Sequence, residues 1–409
     1  MARRFRALGA IAGQFSQAFG SFLLQVLALR LMGVEGLAQY ALLFGFVIIA
    51  TALVTGLVGD SLTVLDRSEP TVRAGLRSWM LATTAAVALV PAAVAWIADL
   101  LPLGQSVLFA LSTYVFVIVE ILRRLLMACL RFWSLVIVDV ASLITSVGVV
   151  LGADLLAGEV TLGTFLLALS LGQSVAIAAG VVRLPADERW LALGARRDYA
   201  SVWRYGSWRA MQQVLRPAML AGVRAIATIT AGLAAYGELE VARVYVAPAM
   251  LTVAGVASYL FASYARDRTS PLAFVRRRAD RAVMGLGLAT VTLAVIATLL
   301  VPSLEGLLSS ERDVSRIGVF GWAMYAASVA AVTPYGALAA VRGRQVAVFI
   351  VRALESVACV AAVGIVIAAG ATIFVAPLVI TAVSLVSGAV MRLGLLSDRA
   401  APSLEHAPS

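Results

Sequence analysis

Apolar runs of about 20 residues recur along the whole chain, and each is long enough to cross the hydrocarbon core of a bilayer. Of the 409 residues, 62% are hydrophobic and only 13% are charged, whereas about a quarter of the residues in soluble domains are charged. The runs predict an all-α integral membrane protein with twelve transmembrane helices. The predicted spans are 8–32, 40–65, 76–98, 104–127, 132–153, 161–183, 205–231, 240–264, 280–302, 316–341, 346–369 and 373–396.

The distribution of arginine predicts the orientation of these spans. All 32 basic residues are Arg, and most of them lie in loops or helix ends on one side. Because basic residues concentrate in cytoplasmic loops, we expect this side to be cytoplasmic. An even number of spans then places both termini in the cytoplasm, with the protein in the inner (cytoplasmic) membrane. The net charge of +10 reflects this topology and attraction to anionic lipid. We therefore expect membrane lipids as partners, and no nucleic acid.

The chain has few residues suited to catalysis. The predicted external loops are too short to hold a catalytic domain. His406, in the polar tail, is the one histidine in the sequence, and Cys129 and Cys359 form no CxxC pair. This composition removes histidine acid–base chemistry and most zinc sites, and the sequence has no Walker motif for ATP. We expect a protein that is not an enzyme and that has no cofactor and no metal.

A long hydrophilic segment divides the chain into two similar halves. The predicted parts are an N-terminal six-helix bundle (1–183), a cytoplasmic linker (184–204), a C-terminal six-helix bundle (205–396) and a cytoplasmic tail (397–409). Gly33 and Gly232 each begin a short external loop between the first two spans of their half. Two six-helix units with the same orientation are related by an axis along the membrane normal.

Span seven carries charge where apolar residues are expected. In WRAMQQVLRPAMLAGVRAIATI, Trp208 to Ile229, the polar side chains fall within an arc of about 120° at 100° per residue. They are Arg209, Gln212, Gln213, Arg216 and Arg224. A mid-membrane arginine costs about 2.5–3.5 kcal/mol on insertion scales. Two that faced lipid would roughly double this cost, so we expect Arg216 and Arg224 to face water, an anion or an acid.

Two interpretations of this arginine face are open. In one, it lines a hydrated cavity that receives an anionic ligand. Its substrate-binding residues are then Arg209, Gln213, Arg216 and Arg224. In the other, the guanidinium groups pair with buried acids, for which Asp139 of span five and Glu355 of span eleven are available. The two interpretations are compatible if a carboxylate occupies the site until substrate displaces it.

Span one carries an uncharged counterpart of this face. Gln14, Gln17, Ser21 and Gln25 fall on one side of the helix. Such a face suits a hydroxyl-rich cargo, and it equally suits polar contacts that hold helices together. The sequence leaves both readings open.

Asp139 is the acid that the sequence singles out for ion coupling. It lies about seven residues into span five without a local partner, and we expect it to titrate. Other membrane-embedded charges have the spacing of local ion pairs. They are Glu120 with Arg123 and Arg124, and Arg352 with Glu355.

Several phrases resemble a known family. The segment FLLQVLALRLMGVEGLAQYALLFGFVIIATALVTGLVGDS (22–61) resembles the opening of Wzx-type polysaccharide flippases. These belong to the multidrug/oligosaccharidyl-lipid/polysaccharide (MOP) exporter superfamily. LRRLLMACLRF (122–132) resembles that family's basic turn between helices four and five, and AAYGELEVARVYVAPAMLT (234–252) its entry to helix eight. The resemblance implies two six-helix bundles around a central cavity, as in MATE-like folds.

The resemblance also implies a function. It implies flipping of polyprenyl-pyrophosphate-linked oligosaccharide across the cytoplasmic membrane by alternating access, for surface polysaccharide biosynthesis. Its partners would be the lipid-linked glycan and polysaccharide polymerase machinery. One alternative is an ion-coupled small-molecule exporter of the same superfamily, although span one lacks the carboxylate expected of such exporters. Another is a non-transporting membrane scaffold in which every arginine is ion-paired.

Overall fold

The computed structural model describes residues 2–66, 69–188, 198–266, 270–308 and 314–397. Across these ranges the chain is helical, and they contain no β-strand. The prediction of an all-α membrane fold is confirmed. Residues 189–197 of the predicted linker and 398–409 of the predicted tail, with His406, lie outside the described residues.

Long helices account for most of the described chain. They are α1 (Ala2–Val54), α2 (Asp60–Val64), α3 (Pro70–Ile97), α4 (Leu103–Ala128), α5 (Phe132–Ala157), α6 (Leu162–Arg183), α7 (Tyr199–Arg266), α8 (Leu272–Leu308), α9 (Arg316–Val341), α10 (Gln345–Ala368) and α11 (Ala376–Val390). A π-helical turn, Thr55–Gly59, joins α1 to α2, and a second, Met391–Leu395, follows α11.

Nine helical stretches of the described chain are long and apolar enough to cross a membrane. Two of them, Ala12–Leu62 and Tyr199–Ala247, have 51 and 49 residues, which is enough for two crossings each. The predicted ninth span lies within α8. The described helices therefore accommodate the predicted spans.

Two glycines turn the chain inside the longest helices. Gly33 interrupts α1 with φ 70° and ψ −169°, and Gly232 interrupts α7 with φ 85° and ψ 168°. A residue with a Cβ is strained in this conformation, whereas glycine adopts it without a steric penalty. The same turn thus separates spans one and two in the first half and spans seven and eight in the second.

Side-chain caps begin several helices. Thr161 forms a capping box with Thr164 at the start of α6, and the Ser315 hydroxyl accepts from the Gly318 N–H at the start of α9. Asp198 accepts the Ser201 N–H at 3.0 Å at the start of α7. The hydrogen bonds from Ser201 hold the pKa of the Asp198 carboxyl below its usual range. These caps satisfy backbone donors that a helix start leaves unpaired.

The chain divides into two compact units, Met1–Ala221 and Gly222–Ser409. In the first unit, the π-helical turn packs with α1, α2, α3, α4 and the start of α7. This core contains Ala50, Val54, Leu57, Val58, Leu62, Val72, Leu76, Val117, Ile121, Val202 and Ala210. The sequence prediction began the C-terminal bundle at residue 205, and that boundary stays a prediction.

The second unit has a core of its own. It joins residues from the end of α7, the start of α8, α9 and the segment after α11. They are Leu260, Tyr264, Val275, Ala279, Val332, Tyr335, Leu338, Ala339, Met391 and Leu396.

Candidate functional site

Arg209, the first arginine of span seven, is held by a buried aspartate. Its Nε and Nη2 contact Asp60 Oδ2 at 2.9 and 2.8 Å. Gln213 Nε2 donates to the same oxygen at 3.3 Å, and Arg124 Nη1 lies 3.7 Å from Asp60 Oδ1. Asp60 is 7% exposed, so its negative charge is balanced almost entirely by these protein groups rather than by solvent.

Small residues allow α7 to approach Asp60 so closely. A Cβ on Gly56 would lie 2.5 Å from the Ala210 Cα, and a Cβ on Gly206 would overlap the Leu57 carbonyl. Side chains larger than hydrogen at Gly56 and Gly206 would therefore separate the two segments. Glycines at helix crossings permit this backbone contact in membrane proteins.

Arg224 pairs with an acid that the sequence analysis did not select. Its Nε lies 3.3 Å from Glu240 Oε1. Arg243 Nε donates to Glu240 Oε2 at 2.5 Å, and the Tyr236 hydroxyl donates to Glu240 Oε1 at 2.9 Å. These four residues form what we call the Glu240 cluster, which lies in the second unit.

The pairing of Arg224 corrects one expectation. The acids proposed as partners were Asp139 and Glu355, and both bind other groups. The spacing of Tyr236, Glu240 and Arg243, at i, i+4 and i+7, places them on one helix face. This spacing is present in the sequence, although it was not used to predict the pair.

Arg216 lies between the other two arginines of α7, and its side chain is exposed. Gln213 is half-buried beside Asp60. The role of Arg209, Gln213, Arg216 and Arg224 in binding substrate stays a prediction.

The polar face of span one contributes to a cavity in the first unit. Gln17 and Ser21 line a cavity of about 50 Å³ together with Glu120, Arg123 and Asp139, which is space for one or two water molecules. The Gln17 amide donates to the Glu120 carboxylate. The buried Gln25 donates to the Ser21 carbonyl at 3.2 Å, whereas Gln14 is exposed. For Gln17, this bond favours the interpretation as a contact that holds helices together, whereas the Gln25 bond lies within its own helix.

Asp139 has two partners, both from other helices. Its Oδ1 forms an ion pair with Arg123, and its Oδ2 accepts from the Ser16 hydroxyl at 2.5 Å. Glu120 Oε1 lies 3.7 Å from Arg123 Nε, which confirms the predicted pair of these two residues. Arg124 instead lies near Asp60. The sequence could not show the Asp139 pair, because it joins α4 to α5 through packing.

The buried Arg123 has 1% of its surface exposed and also donates to the Gly13 carbonyl at 3.2 Å. One guanidinium therefore faces two carboxylates. We call Ser16, Gln17, Glu120, Arg123 and Asp139 the Arg123 cluster, and its formal charge is −1.

Glu355 confirms a predicted local pair in the second unit. Its Oε2 lies 3.0 Å from Arg352 Nη1 and accepts from the Ser387 hydroxyl at 2.8 Å. Its Oε1 accepts from the Ser384 hydroxyl at 2.6 Å. This carboxylate has a single arginine, in contrast to Glu240. Within the described parts of the chain, no group of three or more His, Cys, Asp and Glu residues is placed to hold a metal ion.

Comparison with known proteins gives structural relatives. No family model matches the sequence, and no curated protein matches it. An outward-facing multidrug resistance MATE transporter of the MOP superfamily has a TM-score of 0.67 at 14% identity, with 95% of this chain and 93% of that chain covered. An inward-facing conformation of such a transporter gives 0.64 at 11% identity, covering 95% and 96%.

A third solved structure is a MOP superfamily transporter from Pyrococcus furiosus. It has a TM-score of 0.66 at 12% identity, with 95% of this chain and 93% of that chain covered. For that protein, a reversed polarity of the binding pocket suggests a different function. At these identities the likeness establishes the fold, and this chain has the fold of MOP superfamily transporters.

Proposed function

We propose that this chain is an alternating-access transporter that flips polyprenyl-pyrophosphate-linked oligosaccharide across the cytoplasmic membrane for surface polysaccharide biosynthesis. One observation carries the proposal: in a transporter fold, α7 holds Arg209, Arg216 and Arg224 within its apolar stretch. Guanidinium groups bind phosphate strongly and often through two parallel hydrogen bonds. A pyrophosphate is therefore the cargo group that this helix favours.

The proposal gives each polar face a role. Arg216 and Arg224 receive the pyrophosphate, and Arg209 with Gln213 extends the polar face toward the predicted cytoplasmic end. The span-one face contacts the glycan through Gln14 and Ser21, because Gln17 and Gln25 already form hydrogen bonds within the protein. The polyprenyl tail stays in lipid because it is long and apolar. Fold relatives solved in outward-facing and inward-facing conformations support alternating access.

We assign ion coupling to the Arg123 cluster. Its surplus negative charge would be neutralised by one proton or one sodium ion, and the cavity beside it provides room for exchange. Asp139 remains the candidate coupling residue, and Glu120 joins it as the second carboxylate of the cluster. Polysaccharide polymerase machinery is the expected protein partner.

The test is a flipping assay in proteoliposomes loaded with a fluorescent lipid-linked oligosaccharide. The double variant Arg216→Ala/Arg224→Ala is expected to lose transport, because it removes two guanidiniums from the phosphate site. Arg352→Ala is the matched control, since it removes an arginine that pairs with Glu355 on α10. Unchanged transport by the double variant would refute the proposal.

A small-molecule exporter is the second candidate, and the multidrug MATE transporters among the structural relatives favour it. A cationic helix would repel cationic drugs, so this alternative requires an anionic cargo. If the protein transports anionic dyes but does not flip lipid-linked oligosaccharide, the result would favour the exporter.

A further inference from the structure

The start of α7 packs with the first unit, although α7 follows the predicted linker in the chain. The first unit ends at Ala221, within α7, and the second unit begins at Gly222. From that residue onward α7 packs with the second unit, where a Cβ on Gly222 would lie 3.1 Å from the Val360 Cγ2 of α10. The stretch of α7 before its turn therefore belongs to both units.

Few apolar side chains hold the start of α7 to the first unit. Of the eleven buried residues in the core around the π-helical turn, α7 supplies only Val202 and Ala210. Close to these residues the backbones meet directly, Gly56 with Ala210 and Gly206 with Leu57. Because hydrophobic stabilisation is proportional to the apolar area that is buried, two small side chains contribute little of it.

Polar and aromatic groups supply further contacts, and several of them are partly free of protein. The Arg209 side chain, which pairs with Asp60 at 2.8 Å, is 36% exposed. Trp203 stacks on Trp79 of α3 with ring centroids 5.2 Å apart and is 54% exposed. An ion pair whose arginine is already exposed costs little to separate, and polar contacts of this kind are typical of surfaces that part and re-form.

We propose that Gly56, Asp60, Gly206 and Arg209 form a latch, which holds the start of α7 on the first unit in one conformation of the transport cycle and releases it in the other. Alternating access requires one half of a transporter to move against the other, and α7 is attached to both units. The partners of α7 in the latch lie in or directly after the π-helical turn, a structure frequent at functional sites. The inference rests on the alternating access of the proposed function and is independent of the cargo.

The first test measures how fast a maleimide labels a cysteine at Val202, which lies on α7 and is fully buried in the first unit. Purified full-length protein carries Val202→Cys together with Cys129→Ala and Cys359→Ala. Arg209→Gln breaks the pair with Asp60 and should raise the labelling rate about two- to fivefold. Asp60→Asn should have the same effect, and it replaces Arg209→Gln if that variant does not fold. The two changes together should act no more strongly than either alone, because each breaks the same pair.

A second buried cysteine separates opening of the latch from general destabilisation. Val138 is equally buried, in a core formed by α4, α5 and α6, and labelling of Val138→Cys should not change with Arg209→Gln. Arg392→Gln breaks an arginine–aspartate pair in the second unit and should leave the labelling of both cysteines unchanged. Equal acceleration at Val202 and Val138, or acceleration at neither, would overturn the proposal.

A reversible cross-link tests whether the latch must open for transport. Trp79→Cys/Trp203→Cys, joined by a short bifunctional thiol reagent, should lose flipping in proteoliposomes, and reduction of the cross-link should restore it. The matched control is Gly222→Cys/Val360→Cys, which joins α7 to α10 within the second unit. Its flipping should be the same before and after cross-linking. Full flipping by protein that is cross-linked between positions 79 and 203 would contradict the latch.

The two tests also separate this inference from the proposed function. A protein that flips no lipid-linked oligosaccharide refutes the flippase, whereas the labelling of Val202→Cys against Val138→Cys still decides the latch. A protein that flips its cargo but shows no selective labelling at Val202 keeps the flippase and refutes the latch.

Discussion

Replacing Arg123 should destabilise the protein more than replacing its partner Asp139. Arg123→Gln leaves the carboxylates of Asp139 and Glu120 buried without a cation. Asp139→Asn leaves Arg123 with Glu120 at 3.7 Å and the Gly13 carbonyl at 3.2 Å. The two variants should differ in stability because two acids, Asp139 and Glu120, share the one guanidinium of Arg123.

The burial of the cluster sets the size of the effect. The side chains of Arg123 and Asp139 are 2% and 8% exposed, so solvent screens their interaction little. Breaking a buried pair by removing one partner costs about 3–5 kcal/mol, which is the value that we expect for Arg123→Gln. For Asp139→Asn we expect about 1–2 kcal/mol, because the amide oxygen can still accept from Arg123, which keeps Glu120 as its counter-ion.

The measurement is the free energy of unfolding in mixed micelles, with sodium dodecyl sulfate as denaturant and circular dichroism as the signal. The double variant Arg123→Gln/Asp139→Asn should be more stable than Arg123→Gln alone, since it retains one unpaired acid instead of two. Arg392→Gln is the control, because its side chain and that of its partner Asp280 are 41% and 28% exposed, so this pair should contribute about 1 kcal/mol or less. An Asp139→Asn variant as unstable as Arg123→Gln would refute the reasoning.

Two other features make predictions about stability. Gly206→Ala should destabilise the protein by about 1–3 kcal/mol, because its Cβ overlaps the Leu57 carbonyl. Gly364→Ala, whose Cβ would meet Ile226 at an ordinary 3.7 Å, should be neutral or stabilising in the same unfolding assay. Asp198→Ala should lower the melting temperature at pH 7, and the difference should shrink as the pH falls below about 4. The sign follows because the lowered pKa of Asp198 gives a stabilisation that is present above the pKa of the unfolded chain and is lost when the carboxyl is protonated. An Asp198→Ala difference that does not shrink as the pH is lowered would contradict this assignment.

Features that depend on neighbouring residues could be predicted from the sequence. The apolar runs predict the helices, because each satisfies its own backbone hydrogen bonds in a membrane. The loop glycines Gly33 and Gly232 fall where the helices turn. The i, i+3 spacing likewise predicts the Arg352–Glu355 pair, because helical geometry alone brings such side chains together.

Pairs between distant segments could not be predicted in this way. Asp60 meets Arg209 across 149 residues, and Arg123 meets Asp139 on a different helix. Such contacts depend on which helix faces pack together. Helical periodicity gives only the direction in which a side chain points from the axis of its own helix. The contacts of Glu240 could be predicted only in part. Its bond to Arg243 is local, whereas its bond to Arg224 spans the turn at Gly232.

The shared glycine turn makes the two units alike, whereas their buried ion clusters differ. The Arg123 cluster has one excess acid, and the Glu240 cluster has one excess base. A tandem chimera built from two copies of the first unit would have two Arg123 clusters and no Glu240 cluster, and one built from two second units would have the reverse. Each chimera would thus repeat one set of buried ion pairs and lose the other.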